Sequence, residues 1–336
     1  MEDNKRSLRF KRNSNLEESI QALSEILSLI PRPVENNQNH PIIFVLGGLR
    51  SGTTLLTQYL YSTKSIYTPN NFLSRFYSNP LVGAKIQKIL FDENYRFGNE
   101  FDDLPTFKNS NFKSENGKTH GALSPNEFWY FWRRFVTDND YSLTQNQLTN
   151  KLINSSFKDE LIALSNELNT PLVLKAMNLN HNFLPLLDVF KKSFFVYVRR
   201  DIYSQTNSII NARIRQYGDS KTWYSFPIPY FEKIAKEPIA TQAAFQALII
   251  NRNIETQLSQ IPKENFIQID YEKFCQEPRW LVDKLAAQLK MKYDFELEIN
   301  TSDLEQIFNE SRLSPSSYNK LAPSIKRAKE ILAKCN

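Results

Sequence analysis

Apolar residues fall along this chain in two rhythms. Over NLEESIQALSEILSLI, Leu16, Ile20, Leu23, Leu27 and Ile30 recur at helical spacing, with Asn15 placed to cap the helix and Pro31 and Pro33 placed to stop it. After a polar link come short unbroken apolar runs: PIIFVLGG from residue 41, PLVLKA at 171–176, SFFVYV at 193–198 and NFIQID at 265–270. Runs of that length without alternation predict strands buried on both faces, as in a parallel sheet. Each has a helical pattern beside it, so the chain reads as α/β, a central, mainly parallel sheet flanked by helices. SIYTPNN, from residue 65, reads as one more short strand.

The stretch from about 70 to 168 is too long for a simple crossover and predicts a helical insertion. It holds NFLSRFYSNPLVGAKIQKIL, a polar loop with Gly98, Gly117 and Gly121, an aromatic helix PNEFWYFWRRFV begun by Glu127, and a long helix running through LSNEL. Long insertions between core elements commonly carry specificity. The expected organisation is a polar segment and helix over residues 1–39, then one domain over 40–336 that contains the insertion.

Composition narrows the class. With 41% apolar and 13% aromatic residues the chain buries a large core, which excludes a disordered or fibrous protein. A formal charge of +6 suits an anionic ligand. Basic residues do not stack on one element or interleave with exposed aromatics, so no nucleic-acid partner is expected. Cys275 and Cys335 make no metal or disulfide spacing, and His40, His120 and His181 are scattered, so no metal is expected. The first forty residues lack the apolar core of a signal peptide, and no apolar run is long enough to span a bilayer, which predicts a cytoplasmic protein without a transmembrane segment.

FVLGGLRSGTTLLTQYL, residues 44–60, is a strand, a glycine turn and a helix in succession. Such a unit binds anions: Gly47, Gly48 and Gly52 let the backbone approach, and the amides of Ser51 to Leu55 lie at the donor end of a helix. Leu55, Leu56, Tyr59 and Leu60 supply the face that fixes the helix on the sheet. The Gly47–Gly52 spacing copies a nucleoside-triphosphate loop, but Thr53 stands where that loop carries lysine, and the nearby cation is Arg50. A glycine turn with two threonines also simply starts a helix well.

FFVYVRRDIYSQTNSIINAR, residues 194–213, repeats the strand-then-helix form, with Arg200 after the strand, Asp201 as cap, and Ser204 and Ser208 on one helical face. An arginine there and a hydroxyl two turns on have the reach to hold one phosphate.

The block GGLRSGTTLL resembles the 5'-phosphosulfate loop of the sulfotransferases that use 3'-phosphoadenosine 5'-phosphosulfate (PAPS), and the fold this implies is the P-loop-like sulfotransferase fold. The resemblance implies that Arg50, Ser51, Gly52, Thr53, Thr54 and Leu55 bind the donor and that Arg50 also stabilises the departing oxygen. It further implies that Arg200 and Ser208, eight residues apart, hold the donor's 3'-phosphate. FIQIDYEKFCQEP resembles the family's strand followed by Tyr-Glu, which places Tyr271 near the adenine; a tyrosine packing a strand end fits equally. The doubled arginine and Gln205 look closer to bacterial members than to the animal cytosolic enzymes. The glycine-containing basic loop of the latter has no counterpart after Gly218, where Lys326, Arg327 and Lys329 read best as a solvated helix face. Where some relatives place an acid, Asn70 and Asn71 stand.

Sulfuryl transfer needs the donor and acceptor held in line, the departing oxygen neutralised and the acceptor's proton taken up. Glu127 is the candidate base, with His120 in reserve, and Lys175, closing PLVLKA, points to the crevice at the strand ends or simply to solvent. Trp129, Tyr130 and Trp132 read as core or as faces for a sugar. The expected reaction yields 3'-phosphoadenosine 5'-phosphate (PAP) and a sulfated small-molecule, glycan or lipid acceptor. The alternatives are a phosphate-loop nucleotide kinase, which Thr53 speaks against, and a non-catalytic nucleotide-binding relative.

Overall fold

A computed structural model describes residues 5–106, apart from 33, 36 and 96, together with 114–299 and 313–335. Helix α1 (Ser14–Ser28) precedes β1 (Ile42–Leu46) and α2 (Thr53–Ser62). The insertion follows as α3 (Pro80–Phe91), a hairpin of β2 (Ser114–Glu115) and β3 (Lys118–Thr119), then α4 (Trp129–Phe135), α5 (Gln145–Ile153) and α6 (Phe157–Leu168). The chain then runs through β4 (Leu172–Lys175), α7 (Pro185–Val189), β5 (Ser193–Arg199), α8 (Ile202–Tyr217) and α9 (Ile239–Leu258). It closes with β6 (Phe266–Asp270), α10 (Tyr271–Gln276), α11 (Pro278–Tyr293) and α12 (Pro315–Ala333).

The main sheet is wholly parallel, in the order β4-β1-β5-β6. All five residues of β1 are buried because alternate side chains enter two cores. Ile42, Phe44 and Leu46 face the side covered by α4 to α9 and α12, whereas Ile43 and Val45 face α2 and α11. Register brings the carboxyl ends to one edge: Val45 pairs with Lys175, Leu46 with Tyr197, and Arg199 with Asp270. From β1 the chain goes to β4 on one side and later to β5 on the other, so the turn after β1 lies where the strand order reverses, the place where open α/β sheets bind ligands.

Several sequence expectations change at element ends. Asn13, not Asn15, caps α1, its Oδ1 accepting the amide of Leu16 at 3.2 Å. The expected strand SIYTPNN is reduced to isolated bridges, Tyr67 with Leu172 and Asn70 with Pro125. The long helix through LSNEL is two helices, because Asn154 caps the end of α5 and the Ser155 Oγ accepts the amide of Phe157 at 3.2 Å as α6 begins. Glu127 precedes α4 rather than opening it: Phe128 is left-handed, with φ 55°, and the helix starts at Trp129. Part of the expected polar loop is the hairpin, whose turn places Asn116 and Gly117 both at positive φ, as a two-residue hairpin turn requires. Lys326 and Lys329 are exposed on α12, and Arg327 pairs with Glu237. Among the described residues no helix is long and apolar enough to cross a membrane.

Candidate active site

The turn between β1 and α2 is held from three sides. Asn180, fully buried, accepts the amide of Gly47 at 3.2 Å and donates to its carbonyl at 2.7 Å. Gln205 Nε2 donates to the carbonyl of Leu49 at 2.9 Å, and Arg200 Nη1 to that of Arg50 at 3.0 Å. With its carbonyls so occupied, the turn directs amides outward: those of Thr53, Thr54 and Leu55, the first three of α2, have no acceptor within the helix. Gly52 is required twice over. Its φ is 102°, and a Cβ there would stand 2.2 Å from the Tyr271 ring.

A cavity of about 1120 Å³ opens over this turn, lined by Arg50, Gly52, Thr53, Thr54, Leu55, Arg200 and Tyr271 among others. Seven of the nine residues expected to hold the donor therefore share one wall. The other two stand behind it. Ser51 is fully buried, its Oγ turned toward Gly47 and its amide bonded to the carbonyl of Gly48 at 3.2 Å. Ser208 meets the wall through Arg50, whose Nε donates to Ser208 Oγ at 3.1 Å. Arg200 lies over the Tyr271 ring, 4.6 Å from its centre.

The end of β4 and the insertion supply further lining. Lys175 Nζ, at the end of β4, donates to Thr54 Oγ1 at 2.9 Å and to the carboxylate of Glu127, whose second oxygen accepts from the Trp129 indole. Lys175 is buried, with 6% of its surface exposed, so its charge is poorly hydrated and depends on these partners. Gly117, at the hairpin tip, leaves room for this pair: a Cβ there would meet Glu127 Oε1 at 2.9 Å. Arg215 Nε donates to Asn116 Oδ1 at 3.0 Å and anchors the tip to α8. Burial, then the charge of Arg50, lowers the pKa of Arg215. Burial raises that of Tyr224 on the cavity wall, with Arg50 opposing and Glu127 reinforcing the rise.

His120 is exposed and contributes its carbonyl to Ser124 Oγ, so it stands apart from this wall. Trp132 is core, 1% exposed, whereas Trp129 and Tyr130 line the cavity. Asn71 lines it too, its Oδ1 accepting from Asn126 Nδ2 at 2.7 Å. Sequence reasoning missed Asn180, which no local pattern marks. It also missed the hairpin, which the Asn-Gly pair within SENGKT signals.

The residues fit an anionic group. Three cations (Arg50, Lys175 and Arg200), a run of helix-start amides and the buried Arg200 Nε, which has no hydrogen-bond partner among the described residues, all converge on the turn.

A profile described as "Sulfotransferase family" matches residues 41–295. Among solved structures, the chain is similar to the sulfotransferase STF1 of Mycobacterium tuberculosis H37Rv, at 12% identity and TM-score 0.48, over 95% of this chain and 81% of that one. It is also similar to the sulfotransferase domain of the Synechococcus PCC 7002 olefin synthase, at 15% identity and TM-score 0.41, over 90% and 98% of the two chains. A sulfotransferase from Alicyclobacillus acidocaldarius matches at 17% identity and TM-score 0.39, over 87% and 94%. No curated protein matches the sequence.

Proposed function

The chain belongs to the sulfotransferase family, and we propose that it transfers a sulfuryl group from PAPS to a hydroxyl or amine of its acceptor, releasing PAP. The observation that carries this reading is the hydrogen-bonded chain Thr54–Lys175–Glu127, which joins the anion-binding turn, a buried cation and a carboxylate within one cavity.

In this reading the amides of Thr53, Thr54 and Leu55 and the hydroxyl of Thr54 hold the phosphosulfate, Arg200 and Ser208 the 3'-phosphate, and Tyr271 borders the adenine. The acceptor oxygen attacks sulfur as the bond from sulfur to the 5'-phosphate oxygen breaks, and the acceptor's proton passes to Glu127. Charge develops on the departing phosphate oxygen, where Lys175 and Arg50 oppose it. Preorganised donors of this kind are each worth about a hundredfold to a thousandfold in rate.

The test is thermal. PAP at a hundredfold excess over its dissociation constant adds about 2.7 kcal/mol to stability, so it raises the melting temperature by several degrees, whereas ATP with magnesium does not. Thr53 stands where a triphosphate loop carries its lysine. A rise with ATP and magnesium alone would overturn the proposal in favour of a kinase.

A further inference from the structure

Nine basic and three acidic side chains line the cavity, a surplus equal to the +6 of the entire chain. The residues lining the cavity therefore account for the chain's net positive charge. Arg50, Lys175 and Arg200 stand at the strand ends against the donor turn. The other six, Arg6, Lys11, Arg12, Arg75, Lys118 and Arg133, belong to the N-terminal segment, the insertion and its hairpin, none of it part of the main sheet. Two acids, Glu17 and Asp138, share that side with them.

Several of these cations are already engaged. Arg6 donates to the carbonyl of Phe10, Lys118 lies over the Phe10 ring, and Arg12 stands 4.0 Å from Glu17. Arg75 and Arg133 make no ion pair among the described residues. Arg133 lies over Trp129, 5.6 Å from the ring centre, and Trp129 in turn binds Glu127. Arg75 acts on Tyr130, whose hydroxyl donates to Glu17 at 2.5 Å; burial pushes that hydroxyl's pKa up to about 12, against the charges of Arg12 and Arg75. From Glu127 outward the wall thus runs carboxylate, two aromatic faces, two arginines. Trp129 and Arg133 are one helical turn apart, about 6 Å along the axis, a span close to one sugar ring.

We infer that the acceptor is an acidic sugar, free or as the head group of a glycolipid, whose hydroxyl meets Glu127, whose ring lies on Trp129 and Tyr130, and whose carboxylate is held by Arg75 and Arg133. This rests on the sulfotransferase reading and names the substrate class for that same site. Each arginine can bind a carboxylate through two parallel hydrogen bonds, and aromatic faces beside them suit the apolar face of a pyranose. A neutral sugar would leave both positive charges without an anionic partner.

The experiment uses the full chain saturated with PAP and measures binding of tetragalacturonate and of maltotetraose by calorimetry, at low and at physiological salt. In a parallel arm, phosphatidylcholine vesicles with and without a glucuronosyl diacylglycerol test the lipid source. The acidic probe of at least one arm is expected to bind at least tenfold more tightly than its neutral counterpart, with the margin shrinking as salt rises. The R75Q/R133Q variant is expected to bring the margin below about threefold while keeping the wild-type melting temperature and its rise with PAP. No preference for the acidic probe in either arm, or a preference retained in the folded double variant, overturns the inference. Failure of PAP to raise the wild-type melting temperature would instead count against the sulfotransferase reading, so the two failures are distinguishable.

Discussion

Lys175 Nζ lies 2.9 Å from Thr54 Oγ1, so the last residue of β4 and the first turn of α2 meet through one hydrogen bond across 121 residues of chain. The same ammonium group holds the Glu127 carboxylate. One buried cation therefore links the turn after β1 to the insertion.

Exchanging either partner separates their roles. Lys175→Met is expected to lower turnover about a hundredfold to a thousandfold by removing a donor from the departing oxygen. Glu127→Gln is expected to lower it about a hundredfold to ten-thousandfold while the dissociation constant of PAP, measured by calorimetry, stays within a few-fold. A loss below about tenfold in Glu127→Gln would mean that the carboxylate only positions Lys175 and that another group takes the proton.

Ser208→Ala and Arg200→Ala probe recognition of the 3'-phosphate. The alanine at 208 should cost about 1 kcal/mol and that at 200 about 1.5 to 3 kcal/mol in PAP affinity. Adenosine 5'-phosphosulfate, which lacks the 3'-phosphate, should be much less affected by the serine change. Arg200 also holds the carbonyl of Arg50, so its removal is expected to weaken both nucleotides somewhat, and the serine variant gives the cleaner comparison. Equal losses for the two nucleotides in Ser208→Ala would show that this hydroxyl serves Arg50 and not the 3'-phosphate.

His181 sets a pH dependence away from the site. Burial holds its pKa at about 4, below the usual 6.5, and its Nδ1 lies 2.8 Å from Asn253 Nδ2, an arrangement that suits the neutral ring. Because the unfolded chain binds this proton more readily, stability is highest above about pH 6.5 and falls as pH drops toward 4. The difference between those values is worth about 3 kcal/mol. Melting temperatures of the wild type and His181→Gln, compared from pH 7.5 to 4, should show a shallower decline in the variant; parallel curves would refute the assignment.

Runs such as PIIFVLGG and SFFVYV were legible as buried strands because a parallel sheet covered on both faces demands apolar side chains at every position. The glycine turn was legible for a related reason. Close backbone approach and positive φ restrict the residue choice at Gly52, and Thr53 in place of lysine separated this turn from a triphosphate loop. The Arg200–Ser208 spacing was readable because strand end and helix cap are adjacent in sequence.

Element ends were less legible. Asn15 and Asn13 are chemically alike, so spacing alone could not choose the cap, and the left-handed Phe128 that moves the start of α4 past Glu127 has no signature in an aromatic run. The hairpin at Asn116–Gly117 carried a usable signal, but two-residue strands give it almost no alternation to flank.

By itself, then, the sequence determined the parallel α/β class and the two strand-turn-helix units around Gly52 and Arg200, since each is a local pattern in which neighbouring residues supply the geometry. Only the tertiary structure decided that Asn180 pins Gly47, that Ser51 turns inward, that Lys175 spans Thr54 and Glu127, and that scattered arginines of the N-terminal segment and insertion face one cavity. Those relationships join residues from about 50 to more than 130 positions apart. They depend on which strand ends share an edge and how the insertion folds back across it, and a one-dimensional pattern of apolar and polar residues does not encode that choice.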